Sequence, residues 1–422
     1  MKSEPNVNPR YRWQVVAMLW FICFFNYADR QAVTAIFPLL KAEFGFNSEQ
    51  LGLIGAAFTW VYAITAPLAG QVGDKYSRKW VILGGLAVWS VITGFTAGCS
   101  RLWHFLLVRG AEGLGETFYF PASMSLVSDY HSRQTRSRAM SLHQTSVYAG
   151  TIGGSVFAGW MGQHYGWRSP FIILGVVGVV LALILARMLH EPKRGAFEET
   201  AQAAIPMSVF LRDLVRTPTA LLLIAAFFGA NCVAVIFLVW MPTFLKEKFQ
   251  LNLAVAGLSA TLFLQVASMV GAGMAGVFAD RWSRLRAGGR ILTQAIGALG
   301  GAPFIFWCGF SQDLGTLVIA MTCFGLFKGI YDSNIWASLY DVVPVARRSS
   351  AVGMMNMIGW LGGGLGAWLI GRAMDRGVTM SAAIASTGII YLCVAVLLLV
   401  AGLVFAPRDM RHLESETATM PV

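Results

Sequence analysis

Two stretches in opposite halves of the chain share one pattern: GQVGDKYSRK at residues 70–79 and GVFADRWSR at residues 276–284. Both read Gly-x-x-x-Asp-x-x-x-Arg, with Gly70, Asp74 and Arg78 in the first copy and Gly276, Asp280 and Arg284 in the second. A glycine lets two helices approach closely. The aspartate can accept hydrogen bonds at a neighbouring helix N-terminus, and the arginine can pair with an acid or a helix C-terminal end. Contacts of this kind form and break when two bodies rock. An ordinary basic turn would also hold these residues once. Two copies at matching places argue for an internal repeat.

Outward from each copy run apolar segments of the length a bilayer requires, roughly 20 residues. Twelve can be traced, near 13–36, 50–72, 79–99, 102–126, 138–162, 168–188, 219–241, 255–278, 290–311, 315–340, 350–373 and 382–405. Between the sixth and seventh lies a polar stretch containing Pro192, Lys193, Arg194, Glu198, Glu199, Arg212, Asp213 and Arg216. The expected organisation is an all-α membrane protein: an N-terminal six-helix bundle over 1–190, a cytoplasmic linker over 191–218 with room for a short amphipathic surface helix, and a C-terminal six-helix bundle with a short cytoplasmic tail over 219–422. Glycines at 150, 153, 154 and 159 in span five, and at 359, 362–364 and 366 in span eleven, read as packing or bending elements.

Composition agrees. Of 422 residues 56% are hydrophobic and 13% charged, where a soluble domain carries about a quarter charged, and the mean hydropathy is +0.61. The six cysteines all lie in or beside apolar runs and read as free core thiols, which excludes a disulfide scaffold. No small-residue cleavage pattern follows the first apolar run, so it reads as a span and not as a cleaved signal peptide. The net charge of +11 would suggest nucleic acid in a soluble protein. Here it has another origin. With the N-terminus inside, 22 of the 32 Lys and Arg fall in inner segments and seven in outer ones. The positive-inside rule then places both termini in the cytoplasm. No metal-spaced His or Cys set, no Gly-x-Ser-x-Gly and no soluble cofactor domain is legible, so no enzyme, metal or cofactor is expected.

Charges inside spans are the informative residues, since each costs at least about 2.5–3.5 kcal/mol at the bilayer centre. Span one carries Asn26, Tyr27, Asp29 and Arg30. Tyr27 and Arg30 share a face with Asn26, and Asp29 points about 100° away. Span four carries Arg109, Glu112 and Glu116 at i, i+3 and i+7, followed by Tyr119 and Pro121. Span ten carries Lys328 and Asp332 four apart, then Ser333, Asn334 and Trp336. Each cluster suits either a static ion pair that orders the bundle or a proton and anion site in a cavity, where burial and a neighbouring cation pull a carboxylate in opposite directions.

Twelve spans, two halves, a central linker and the repeated loop together resemble the major facilitator superfamily. The resemblance implies two six-helix bundles with pseudo-two-fold symmetry and alternating access by rocking. Within it, Asn26-Tyr27-Ala28-Asp29-Arg30, and Arg109, Gly113, Glu116, Phe120 and Pro121, resemble the anion:cation symporter branch, whose members carry galactonate, hexuronates and related sugar acids. That resemblance implies Asp29 and Glu116 as proton-coupling residues. It implies Arg30, with Arg109, as the contact for an anion, and Tyr27, Tyr62, Ser333, Trp336 and Asn356 as further substrate contacts. Glu112, Tyr119, Gln144, Lys328 and Asp332 are additional cavity candidates, and Gly70, Asp74, Arg78, Asp280 and Arg284 form the gating loops. The implied partners are a small organic anion, protons and the lipid bilayer of an inner membrane, with no nucleic acid and a monomeric chain. The chain departs from the branch in having Thr117-Phe118 after Glu116 in place of Ala-Pro, and in carrying Glu112 and the Lys328–Asp332 pair. Spinster-like lipid transporters share the span-one and span-four patterns and are the alternative, together with a drug-type proton antiporter.

Overall fold

The structure, a computed structural model, describes residues 9–192, 212–344 and 347–419. The linker helix expected within 191–218 falls mainly on residues outside this set.

The described residues are helical throughout, and the helices make twelve passes. The first six are α1 (Pro9–Ala35, followed by the short α2, Phe37–Phe44), α3 (Ser48–Lys75), α4 (Arg78–Thr96), α5 with α6 (Leu102–Thr117 and Tyr119–Tyr130), α7 (Arg133–Tyr165) and α8 (Ser169–Met188). The second six are α9 (Pro218–Phe249), α10 (Leu253–Leu285), α11 (Gly289–Phe310), α12 with α13 (Leu314–Asp332 and Ile335–Tyr340), α14 (Arg348–Asp375) and α15 (Met380–Val400). The last continues through a π-helical turn over Ala401–Phe405 into α16 (Ala406–Thr419).

Among the described residues eight helical passes are long and apolar enough to cross a membrane by length and composition alone. The other four are α1, α5 with α6, α7 and α14. The first two carry the interior charges, and α7 and α14 begin on basic and hydroxyl-rich turns and are rich in glycine.

Local chemistry sets the ends and the breaks. Asn47 and Gln50 form a reciprocal capping box at the start of α3, with Gln50 N donating to Asn47 Oδ1 at 2.8 Å. The fourth pass breaks at Phe118 because Pro121 has no N–H to give the carbonyl of residue 117, where α5 ends. The tenth pass breaks at Ser333 and Asn334. There the Ser333 hydroxyl donates to the Ile330 carbonyl at 3.0 Å and Asn334 Nδ2 donates to Ser333 Oγ at 2.6 Å. Side chains that bond locally compete with the helical ladder.

The chain divides into two compact units, Met1–Ala201 with Met241–Thr261, and Gln202–Trp240 with Leu262–Val422. In the first, α1 and α7 pack closely: a Cβ on Gly154 would lie 2.4 Å from Ala28 Cα, and one on Gly150 would lie 2.4 Å from the Phe24 carbonyl oxygen. The span-five glycines therefore act in packing. Met241–Thr261 joins this unit through Gln163 Oε1, which accepts from Leu253 N at 2.9 Å. Trp89, Tyr119, Leu19, Leu86 and Leu126 form the unit's core. In the second unit, Phe324, Tyr331 and Tyr391 are buried against one another, and a Cβ on Gly329 would strike the Ser268 carbonyl of α10. All six cysteines are free, as expected, but Cys393 is exposed on α15 and Cys323 half-buried, so these two are not core thiols.

The repeated loops hold two ion networks. Arg78 is 3% exposed and pairs with Asp129 and, at 3.4 Å, with Glu191. In the second copy Asp280 pairs with Arg290 at 2.9 Å, and Arg290 reaches Asp341 at 2.7 Å. Arg284 is exposed, so Arg290, which the repeat pattern does not single out, closes this network. The side chains of Gly70 and Asp74 lie outside the described set.

Glu191 also accepts from the Arg78 backbone N–H at 2.8 Å and from the Ser77 hydroxyl, at the N-terminus of α4. Burial alone would raise this acid. The Ser77 and Arg78 contacts outweigh it and hold Glu191 below its ordinary value of 4.5. An acid held low contributes stability above its unfolded value, lost as pH falls through the folded one. Glu191→Gln should therefore lower stability at neutral pH by about 1 kcal/mol. It should also flatten the fall of Tm on acidification, measured by thermal melts of the detergent-purified protein.

Candidate functional site

Five ionisable side chains, carried by two helices, meet in the interior of the first unit. On α1, Asp29 and Arg30 are adjacent, so their side chains leave the helix about 100° apart. On α5, Arg109, Glu112 and Glu116 fall along one face. That face is drawn tightly onto α3, because a Cβ on Gly113 would lie 2.5 Å from the Phe58 carbonyl oxygen. Glycine at 113 is thus a condition for the charges of α5 to meet the aromatic rings of α3.

Arg30 Nε donates to Glu116 Oε2 at 2.6 Å, with 11% of the Arg30 side chain and none of Glu116 exposed. Three rings surround the Arg30 guanidinium: Tyr27 at 4.6 Å, Tyr62 at 4.7 Å and Phe58 at 4.9 Å from Cζ to ring centroid. Arg109 pairs with Glu112, and its Cζ lies 4.8 Å from the same Phe58 ring. Thr96 Oγ1 donates to Glu112 Oε1 at 3.3 Å, and Thr93 Oγ1 to Asp29 Oδ2 at 3.5 Å.

The energetics explain why these groups are held so fully. Removing ions from water costs several kcal/mol each, and a direct pair recovers this only with good geometry and further contacts. Cation–π contacts add about 2 kcal/mol or more when desolvated. The site is nevertheless not saturated. Among the described residues Glu116 Oε1, Asp29 Oδ1, Asn26 Nδ2 and Arg109 Nε are buried without a hydrogen-bond partner. Such orphaned polar atoms are costly, and they sit where an additional polar group could bond.

The structure thus brings together Tyr27, Asp29, Arg30, Tyr62, Arg109, Glu112 and Glu116. Tyr119 lies in the core, 1% exposed, its hydroxyl donating to the Leu19 carbonyl at 2.6 Å and lying 2.8 Å from His143 Nε2. Gln144 is exposed. In the second unit Lys328 pairs with Asp332, and Trp336 packs edge-on against Phe227 at 5.5 Å. Ser333 bonds Asn334 at the helix break, and Asn356 is half-buried on α14. No three His, Cys, Asp or Glu among the described residues gather as a metal site.

Sequence analysis missed Phe58, Thr93 and Thr96. Phe58 is one turn before Tyr62 and its ring stacks on Tyr62 at 5.9 Å, so the i, i+4 spacing was an available signal. The threonines are ordinary residues of an apolar helix until their partners are known.

A family description, Major Facilitator Superfamily, matches residues 19–367. Human protein spinster homolog 1 is 29% identical over 391 residues, covering 86% of this chain and 73% of that one. The Escherichia coli protein named "Probable galactarate/D-glucarate transporter GudP" is 24% identical over 393 residues, covering 85% and 86%. The Arabidopsis thaliana sodium-dependent phosphate transport protein 1, chloroplastic, is 27% identical over 383 residues, covering 87% and 74%. The crystal structure of a bacterial homolog to the human lysosomal transporter Spinster, inward-facing and unoccupied, superimposes with a TM-score of 0.78 at 18% identity, covering 97% of this chain and 99% of that one.

Phe58 is 2% exposed and touches both guanidinium groups. Phe58→Ala should cost about 3–5 kcal/mol of stability. Phe58→Leu should recover most of the cavity but not the ring face, leaving a deficit of about 0.5–2 kcal/mol. Chemical denaturation of the purified variants reads both.

Proposed function

Starting from a chain that belongs to the major facilitator superfamily, a family of membrane transporters, we propose proton-coupled uptake of a small organic anion, a sugar acid, by alternating access. The observation that carries this reading is the Arg30–Glu116 pair, buried and ringed by Tyr27, Phe58 and Tyr62.

A guanidinium offers five N–H donors in a planar fork that fits a carboxylate. An incoming carboxylate competes with Glu116 for Arg30. Glu116, displaced from its cation in a water-poor interior, then takes a proton. Anion and proton enter as a neutral combination, which is what a low-dielectric interior tolerates during rocking. Asp29, with its unpartnered Oδ1, is the second proton carrier. The Tyr27 and Tyr62 rings and hydroxyls suit a hydroxylated solute. In the second unit Ser333, Trp336 and Asn356, with hydroxyl, indole and amide groups, are proposed as substrate contacts.

The networks Arg78–Asp129–Glu191 and Asp280–Arg290–Asp341 are proposed to open and close with the cycle. The excess of inner basic residues supports a multi-pass membrane protein with both termini cytoplasmic; a plasma-membrane location and a monomeric chain are part of the same proposal. Similarity to the galactarate/D-glucarate transporter and to the chloroplastic phosphate transporter supports an anionic substrate.

A second reading, an amphiphile transporter, has one observation in its favour beyond the similarity to spinster homolog 1. An apolar groove of about 460 Å³ opens between α10 and α12, lined by Leu262, Phe263, Val266, Val270, Cys323 and Leu326 among others.

Proteoliposomes offered labelled galactonate, glucuronate, galacturonate, glucarate, sialate and lactate, with and without an acid-outside gradient, separate the two. One acid should accumulate only with the gradient, and Asp29→Asn and Glu116→Gln should each reduce gradient-driven accumulation at least about 100-fold. Undiminished accumulation in either variant removes that residue from the proton path. Failure of every acid, with transfer of an amphiphile, replaces the first reading by the second.

A further inference from the structure

The interior cluster of the first unit contains two cations, Arg30 and Arg109, and three acids, Asp29, Glu112 and Glu116, each side chain nearly or fully buried. Guanidinium groups do not release their protons in proteins. With all three acids ionised the cluster would carry one uncompensated negative charge, which a low-dielectric interior penalises heavily. Neutrality therefore requires one resident proton.

Geometry assigns its place. Glu116 is held by Arg30 at 2.6 Å, and Glu112 is held by Arg109 and by Thr96 at 3.3 Å. Asp29 has neither cation: its nearest partner is Thr93 at 3.5 Å, outside the ordinary O–H···O range of about 2.5–3.0 Å, and its Oδ1 has none.

The other groups facing the cluster do not change the count. Cys23 and Tyr27 on α1, Tyr62 on α3, Cys99 after α4 and Tyr119 on α6 are neutral thiols and phenols. On α7, His143 meets Tyr119, whose one proton is donated to the Leu19 carbonyl. His143 Nε2 therefore carries the hydrogen, and the buried, unpartnered Nδ1 is a bare lone pair of a neutral ring. An imidazolium there would bury an unpaired N–H as well as a charge.

We propose that Glu112 is the residue that keeps Asp29 protonated. By occupying Arg109 it denies Asp29 a counter-charge, so the cluster reaches neutrality only with a proton on Asp29. Glu112 is a positioning residue: it acts through Arg109, which interacts electrostatically with Asp29 as well. An extra acid thus raises the number of protons held, and neutralising it should release one. With Glu112 made neutral, Arg109 is left to Asp29, and Asp29 ionises. This deepens the proposed proton coupling and rests on the same site, but its test needs no transported solute, so a failure of uptake and a failure of charge balance can be told apart.

The test is infrared spectroscopy of the detergent-purified full chain at neutral pH, reading the C=O stretch of protonated carboxyl groups, which is separate from the amide and carboxylate bands. The wild-type protein should show a buried band of one carboxyl, and Asp29→Asn should abolish it. Glu112→Gln should abolish it too, although Asp29 is intact, and Glu112→Asp should keep it. Arg109→Gln leaves one cation for three acids and should double the band. It decides the matter even if Glu112→Gln does not fold. Absence of the band in the wild type, its survival in Asp29→Asn or Glu112→Gln, its loss in Glu112→Asp, or no increase in Arg109→Gln would each overturn the proposal.

Discussion

The constraint on which the rest depends is that charge must be neutral, pair by pair, in the middle of an apolar bundle. Arg30 and Glu116 satisfy it at 2.6 Å, and Arg109 and Glu112 satisfy it one turn away along α5. The Arg30–Glu116 pair ties α1 to α5, the Arg109–Glu112 pair lies on successive turns of α5, and the rings of α3 and the threonines of α4 meet these charges from the other sides. The close approaches then follow. Gly113 admits the Phe58 carbonyl, and Gly150 and Gly154 admit the backbone of α1. Larger side chains at these positions would hold the helices apart and leave the ions without their partners, where they are most expensive.

The same logic organises the two repeated loops, at lower stakes. Arg78 is buried among Asp129, Ser125 and Glu191, while Arg290 is a quarter exposed between Asp280 and Asp341. Partly exposed pairs are weaker, because water competes and screens. The two copies of one motif therefore form networks of unequal depth, and the half with the buried arginine is the more firmly tied.

Much of the fold was legible in the sequence because a bilayer imposes few solutions: length, hydropathy and a repeated loop suffice. The fourth pass, read from the sequence as one span over 102–126, is broken at Phe118, and the signal for it is Pro121, which cannot donate to the carbonyl of residue 117. The site was legible in part. Asp29, Arg30 and Glu116 are readable because an ion in an apolar run requires an explanation. The partner of each ion is less so. Arg109 lies three residues from Glu112 and seven from Glu116, and helix spacing allows either acid to be its mate. Thr93, Thr96 and Phe58 became visible only once α3, α4 and α5 were in place, since a threonine or phenylalanine in a membrane helix carries no signal of its own. Arg290 was missed for the same reason: the motif's own Arg284 was the nearer candidate, and only the turn into α11 brings Arg290 to Asp280.

Phe58 has a consequence that reaches past packing. One ring lies 4.9 Å from the Arg30 guanidinium and 4.8 Å from that of Arg109. Its electron-rich π system is a resource held in common by two cations that repel each other. A ligand that drew Arg30 off the ring would leave more of that field to Arg109, and whatever free energy couples two binding events at these cations acts equally in both directions. A hydrocarbon side chain with no hydrogen bonds is thereby the ring that both ion pairs share.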